Sequence, residues 1–237
     1  MARPMPALLL TRPEDQSERF ARQLGDAGPV VISPLLRIEP LSPDLPSART
    51  LVLTSLRGAE AAARLNVPQG TPALCVGEAT AEAARLAGLD ARAAAGDAEA
   101  LYYEILSLQP PTPLLHLRGR HARGDLARRL TEAGLPTEER IVYEQTPLPL
   151  SEEARRLLAG AEPVVVPLFS PRTAELLAAE GPFAAPLLVV AMSPAVAEAV
   201  VSLHPAQCRV APHPSASDML ALTREVLERG RGSHASA

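Results

Sequence analysis

At 237 residues, the chain is long enough to bury one large hydrophobic core or two smaller ones. Apolar residues make up 47% of it and charged residues 21%, a composition that excludes a disordered chain. With 23 basic against 27 acidic side chains, three Tyr, three Phe and no Trp, it lacks the cationic face and stacking residues of a nucleic-acid binder.

No stretch approaches the roughly 20 consecutive apolar residues of a membrane helix. The opening run Ala7-Leu8-Leu9-Leu10 is broken by Thr11-Arg12-Pro13, too soon for a signal peptide, so a cytoplasmic protein is expected. Cys75 and Cys208 lie far apart and are expected to be buried small hydrophobes rather than a disulfide or metal pair.

Along the chain, short apolar runs alternate with alanine-rich helical stretches. Ala7 to Thr11 precedes a helix from Asp15 to Leu24, where Phe20, Leu24 and Ala27 recur at helical spacing and Gly25 or Gly28 supplies a stop. Leu51-Val52-Leu53 runs through Thr54-Ser55 into a helix ending near Leu65. Ala73 to Val76 leads through Gly77 to a helix from Ala79 to Ala87, closed by Gly88. Leu114 to Leu117 precedes Arg118-Gly119-Arg120 and a helix from Asp125 to Ala133. Val164 to Phe169 leads through Ser170-Pro171 to a helix from Thr173, and Leu187 to Val190 leads through Met192-Ser193-Pro194 to a helix through Val201. Pro110-Pro111-Thr112-Pro113 reads as a turn, and the tail from Gly230 to Ala237 as disordered. Alternation of this kind predicts α/β architecture with mostly parallel sheets flanked by helices.

The two halves resemble each other. Leu53-Thr54-Ser55 with Arg57 and Glu60 parallels Leu168-Phe169-Ser170 with Arg172 and Glu175. The run from Val76 to Ala83 parallels that from Met192 to Ala199. The offset is 115 residues between Ser55 and Ser170 and 116 between Gly77 and Ser193, as a duplicated domain predicts. Two Pro-punctuated extended segments, Val30 to Pro40 and Glu139 to Pro147, suit strands that bridge two domains rather than sit centrally in a sheet.

Chemistry is expected at the strand–turn–helix junctions: Thr11, Thr54 with Ser55, Gly77 with Thr80, Gly119, and Ser170. Free N–H groups at helix starts bind anions, although hydroxyl residues there are also ordinary N-caps. Arginines recur at the same turns, as Arg12, Arg57, Arg118, Arg120 and Arg172. Their forks suit carboxylates or phosphates, or pair with Glu14, Glu60 and Glu175 on solvated helix faces. Tyr143, in Ile141-Val142-Tyr143, carries a phenol able to protonate a departing hydroxyl, or simply packs.

Other chemistries lack their signatures. The segment from Gly119 to Asp125 spaces two glycines as a P-loop does, but Asp125-Leu126 stands where Lys-Ser/Thr is needed. His116 and His121 have no Cys or acidic partners at metal spacing, and no Gly-x-Ser-x-Gly elbow occurs.

Taken in order, these motifs resemble the uroporphyrinogen-III synthase family from about Leu8 to Leu227. The resemblance rests on Leu8 to Pro13, Pro34-Leu35, Leu53-Thr54-Ser55 with Arg57 and Glu60-Ala61, Val76 to Ala81, and Gly96 to Leu101. Further on it rests on Gly119 with Leu126, Leu130 and Gly134, then Val142-Tyr143, and Phe169-Ser170-Pro171. It implies two similar α/β domains joined by a two-stranded linker, with a cleft between them. One domain holds residues 1–33 and 148–237, the other 37–144. It also implies a cofactor-free lyase acting on hydroxymethylbilane, whose eight carboxylates suit the arginine-bearing turns; the sequence leaves the oligomeric state open, with a monomer the default expectation.

The implied reaction loses the terminal hydroxyl as water, attacks from the wrong carbon of the terminal ring, and recloses with that ring inverted. Tyr143 is the implied catalytic residue. Thr11, Arg12, Thr54, Ser55, Arg57, Gly77, Thr80, Arg118, Gly119 and Ser170 are the implied substrate contacts. One turn departs from the family, since Met192 to Ala197 lacks the expected hydroxyls and only Ser193 stands in for them. That departure favours the main rival, a non-catalytic two-domain module holding a tetrapyrrole or another polyanion. A periplasmic-type binding protein is a second rival, opposed by the lack of a signal peptide.

Overall fold

A computed structural model describes residues 6–121 and 124–232, leaving aside the side chains of Arg231 and Gly232. The chain falls into two compact units, one built from residues 6–37 and 146–232, the other from residues 38–145.

In the first unit, strands β1 (Ala7–Leu10) and β2 (Val30–Ile32) flank helix α1 (Glu14–Leu24). The second unit follows, with β3 (Leu36–Pro40), β4 (Thr50–Leu53), α2 (Leu56–Arg64), β5 (Pro72–Val76), α3 (Glu78–Leu86), β6 (Asp90–Ala94), α4 (Ala98–Leu108), β7 (Leu114–Gly119), α5 (Leu126–Glu132) and β8 (Thr137–Pro147). The chain then returns to the first unit with α6 (Glu152–Leu158), β9 (Val164–Leu168), α7 (Pro171–Ala179), β10 (Leu187–Ala191), α8 (Pro194–Glu198), β11 (Gln207–Val210) and α9 (Ala216–Gly232).

The first unit's sheet has the order β11-β10-β9-β1-β2 and the second unit's β3-β8-β7-β4-β5-β6. All four neighbouring pairs in the first sheet are parallel, as are β7–β8, β4–β7, β4–β5 and β5–β6 in the second. A parallel strand with helices on both faces is apolar throughout its length. Leu8, Leu9 and Leu10 accordingly expose 0%, 0% and 1% of their surface, with Leu9 on the α6–α8 side and its two neighbours on the α1–α9 side. In the second unit Leu51, Leu53, Leu115 and Leu117 face α2 and α3, whereas Val52 and Leu114 face α4 and α5.

The units share one strand pattern entered at different points. The run β4-α2-β5-α3-β6 matches β9-α7-β10-α8-β11, with 115 residues separating Leu56 from Pro171 and Pro72 from Leu187. The β-α-β piece on the other side of the sheet is β1-α1-β2, ahead of its partners in sequence, in the first unit. In the second it is β7-α5-β8, behind them.

Two of the expected hydroxyls, Ser55 and Ser170, cap helices, and Ser151 and Asp97 do the same at turns where no cap was anticipated. Ser55, Ser151 and Ser170 each accept a hydrogen bond from a backbone N–H three residues on, and Asp97 accepts from Glu99 and Ala100. Gly25, at φ 77°, ends α1, so Ala27 lies beyond the helix, although it still packs with Phe20 and Leu24. The absence of a side chain at Gly58 lets α2 approach β7. A Cβ there would stand 2.8 Å from the Leu117 carbonyl oxygen, a backbone atom that cannot move aside. Gly58→Ala is therefore expected to destabilise the protein by about 1–3 kcal/mol in a urea titration, exceeding the helix-propensity gain of alanine.

Several expectations need correction. Gly230 to Gly232 are helical, as the last turn of α9, which is anchored by the buried series Met219, Leu222, Val226 and Leu227 before them. The remaining tail, 233–237, lies outside the described residues. The helix after Ser193-Pro194 stops at Glu198, and a single 3-10 turn covers Val201–Leu203. The 139–147 segment is not confined to a bridge: β8 begins at Thr137 and is flanked by both β3 and β7. Cys75 is buried, and burial raises its thiol pKa to about 11, but Cys208 is exposed on β11. Among the described residues no helix is long and apolar enough to cross a membrane.

Candidate active site

In open parallel sheets, ligands bind beyond the carboxyl ends of the strands where the strand order reverses, because the connecting helices there diverge to opposite faces. The first unit's chain runs outward from β9 to β10 and β11 and the other way from β1 to β2, which places the reversal between β9 and β1. In the second unit it lies between β4 and β7. Thr11 and Arg12 follow β1, Phe169 and Ser170 follow β9, Thr54 and Ser55 follow β4, and Gly119 ends β7. Each reversal point thus carries predicted residues.

In the second unit, Ser55 Oγ lies 3.3 Å from Tyr143 Oη. Tyr143 sits opposite Gly119 across a bulge in the β7–β8 pairing, its ring partly buried against the α2–α3 core. Any side chain at Gly119 would displace the ring from this position. A Cβ at Gly119 would lie 2.5 Å from two ring carbons and 2.8 Å from the phenol oxygen. Ser55 therefore has two roles, capping α2 through Gly58 N–H at 3.2 Å and contacting the phenol. Thr54 Oγ1 contacts His116 Nε2 at 3.1 Å.

In the first unit, the Arg12 guanidinium lies 4.1 Å above the Phe169 ring centroid and donates to Gln16 Oε1 at 2.5 Å. Phe169 in turn meets Phe20 edge-on at 5.1 Å. Burial lowers the Arg12 pKa from its ordinary value, with the neighbouring Arg19 acting in the same direction. Ser170 Oγ caps α7 at Thr173 N and stands 2.8 Å from Thr173 Oγ1. Thr11 is only 1% exposed, and its hydroxyl has no hydrogen-bond partner among the described residues.

The remaining predicted residues stand apart from these two clusters. Arg57 pairs with Glu60 at 2.9 Å, one of the helix-face pairs anticipated from spacing. Arg118 turns to Glu139 at 2.9 Å and to the Gly119 carbonyl at 3.1 Å. Arg120 pairs with Glu144 at 2.6 Å. Gly77 caps α3 at the end of β5, one strand beyond β4, and Thr80 is 6% exposed within that helix.

No motif marks Glu139 or Phe169 as a site residue in the sequence, where His116 reads only as a possible metal ligand. Glu139 lies opposite His116 in the strand register. Its carboxyl is held down to about 2, first by His116, at an ion-pair distance of 3.5 Å, and then by Arg118. Because the folded value lies below the unfolded one, the stabilisation is full above the ordinary carboxylate range and is lost as pH falls toward 2. Between about pH 5 and pH 2, Glu139→Gln is expected to flatten the fall in urea midpoint seen for the parent protein. Equal slopes would show that the group contributes nothing.

Among the described residues no three His, Cys, Asp or Glu side chains gather to hold a metal ion. The uroporphyrinogen-III synthase family model matches residues 16–221. The chain belongs to the uroporphyrinogen-III synthase family. Membership makes it an enzyme of tetrapyrrole biosynthesis that forms uroporphyrinogen III, cyclising hydroxymethylbilane with inversion of the terminal ring and loss of water.

Two solved structures show the same fold. One is the uroporphyrinogen-III synthetase of Helicobacter pylori, at 17% identity and TM-score 0.70, covering 94% of this chain and all of the other. A second is a mutant uroporphyrinogen III synthase of Thermus thermophilus, at 15% identity and TM-score 0.54, covering 94% and 99%. No curated protein sequence matches the chain.

Proposed function

We propose that the enzyme is a cyclising hydro-lyase in which Tyr143 assists departure of the terminal hydroxyl. The pyrrole nitrogen of the terminal ring pushes its electron pair toward the hydroxymethyl carbon, the C–O bond breaks, and the phenol's proton helps the oxygen leave as water. The resulting azafulvene is attacked by the substituted carbon of the opposite terminal ring. The spiro intermediate fragments and recloses with that ring inverted.

The observation that carries this reading is the Ser55–Tyr143 hydroxyl pair beside Gly119, at the strand-order reversal of the second unit. Ser55 orients the phenol, and Thr54 and Ser55 hold the substrate near it. Gly77, Thr80, Arg57 and Arg118 supply further polar contacts in the same unit. Thr11, Arg12 and Ser170 form the corresponding group in the first, where the Arg12 fork and the α7 amino terminus suit propionate and acetate carboxylates. Folding a flexible bilane so that its ends meet in one geometry supplies much of the acceleration. No cofactor takes part, and the protein acts as a cytoplasmic monomer without nucleic acid or membrane.

The test follows the loss of fresh hydroxymethylbilane with and without protein. An enzyme accelerates its consumption, with saturation in substrate. A protein that only binds would protect the bilane and slow its spontaneous closure, which would refute catalysis.

A further inference from the structure

Beneath Thr54 lie two polar groups, His116 and Glu139, to which the proposed reaction assigns no role. His116 is 3% exposed on β7, with Val52 of β4 opposite it on one side and Glu139 of β8 on the other. Its Nε2 contacts Thr54 Oγ1 at 3.1 Å, and its Nδ1 faces Glu139 Oε1 at 3.5 Å. Arg118 Nη2 holds the second carboxylate oxygen, Oε2, at 2.9 Å.

His116 Nδ1 makes no hydrogen bond among the described residues, but at 3.5 Å a lone pair there would face the negative charge of the ionised carboxylate, so the tautomer with its hydrogen on Nδ1 is favoured. In the neutral ring the other nitrogen, Nε2, is then a lone pair, and the Thr54 hydroxyl must donate to it. A hydroxyl that has given its hydrogen keeps only acceptor lone pairs. A linear tetrapyrrole offers two kinds of polar group. Its carboxylates accept, and its pyrrole N–H groups donate. Only the second kind can meet an acceptor-only hydroxyl.

We propose that Glu139 and His116 are positioning residues that fix Thr54 as an acceptor, and that Thr54 takes a pyrrole N–H of the substrate rather than a carboxylate. The substrate half of this assignment rests on the synthase reading given above. The device separates the polar labels of the second unit: Thr54 reads the ring edge, while side-chain carboxylates fall to donors elsewhere. An imidazole that merely fills space would be indifferent to which nitrogen carries the hydrogen.

The experiment combines ¹⁵N-resolved imidazole spectra of the unliganded full chain with kinetics of its variants. The His116 signal, assigned by its loss in His116→Gln, should show Nε2 unprotonated. Glu139→Gln should mix the two tautomers. A hydrogen on Nε2 in the parent protein would overturn the proposal.

In turnover, Thr54→Val and His116→Gln should each lower type III formation roughly tenfold, with the double variant no worse than Thr54→Val alone. Thr54→Ser should keep most of the activity. Losses that multiply would mean that His116 acts independently of Thr54. Should His116→Gln fail to fold, Glu139→Gln combined with Thr54→Val gives the same comparison from a partly exposed residue. If the parent protein makes no type III product, the synthase reading fails and the pyrrole assignment falls with it. The tautomer spectrum then still decides whether Glu139 and His116 orient Thr54.

Discussion

Tyr143→Phe is expected to lower the rate of type III formation by about 100-fold while leaving the urea midpoint close to that of the parent protein. The substitution removes one oxygen and keeps the ring, so packing against the α2–α3 core and the fit opposite Gly119 are preserved. What is lost is the hydrogen offered to the departing hydroxyl and the 3.3 Å contact with Ser55. General acid assistance contributes about 10²–10⁴ in rate, and the lower end suits a leaving group already driven by the pyrrole electron pair. Steady-state assays that separate kcat from KM check this. The loss should fall on kcat, and a loss confined to KM would make Tyr143 a binding residue only.

Gly119→Ala is expected to be nearly as damaging by a different route. The added methyl would overlap the Cε2 and Cζ atoms of Tyr143, at 2.5 Å. Those atoms are the far end of a rotatable side chain, so the ring swings away and the fold survives. The cost to stability is about 1–3 kcal/mol. The phenol is displaced from Ser55, and type III formation should fall about 100-fold, as with the loss of the hydroxyl itself. Because both changes act through one group, the Gly119→Ala, Tyr143→Phe double variant should be little worse than either alone. A double variant slowed by the product of the two losses would place Gly119 in a separate role.

The α/β alternation was legible because parallel strands buried on both faces read as continuous apolar runs, as in Ala7 to Leu10 and Val164 to Leu168. The turn residues were legible for a related reason. Ser55 and Ser170 cap helices that follow central strands, and caps have a narrow choice of side chains. Two edge strands, β6 and β11, were not legible. Asp90–Ala94 alternates alanine with charged residues, and Gln207–Val210 alternates exposed with half-buried positions, so neither has an apolar run. Helix α9 carried a clear signal in Met219, Leu222, Val226 and Leu227, and the glycines after it drew attention to an end that the helix runs past.

The candidate site was legible only in part, because spacing gives the strand end but not the neighbour across the sheet. Thr54 and Ser55 were found from their own turn. Glu139 was not, since its partner His116 lies 23 residues away and meets it only through the β7–β8 register. The same blindness affected the arginines. Arg118 reads as a ligand fork at a turn until the register sets Glu139 within 2.9 Å of it.

Ring inversion is tested most directly by resolving the porphyrin isomers formed when the purified protein is incubated with fresh hydroxymethylbilane and the mixture is then oxidised. Ring inversion is the one step that spontaneous closure does not perform, so the isomer ratio reports the enzyme alone. Predominantly type III product is expected from the parent protein, with type I rising toward the buffer's own level in Tyr143→Phe. Type I product alone from the parent protein, formed at the buffer's rate, would contradict it.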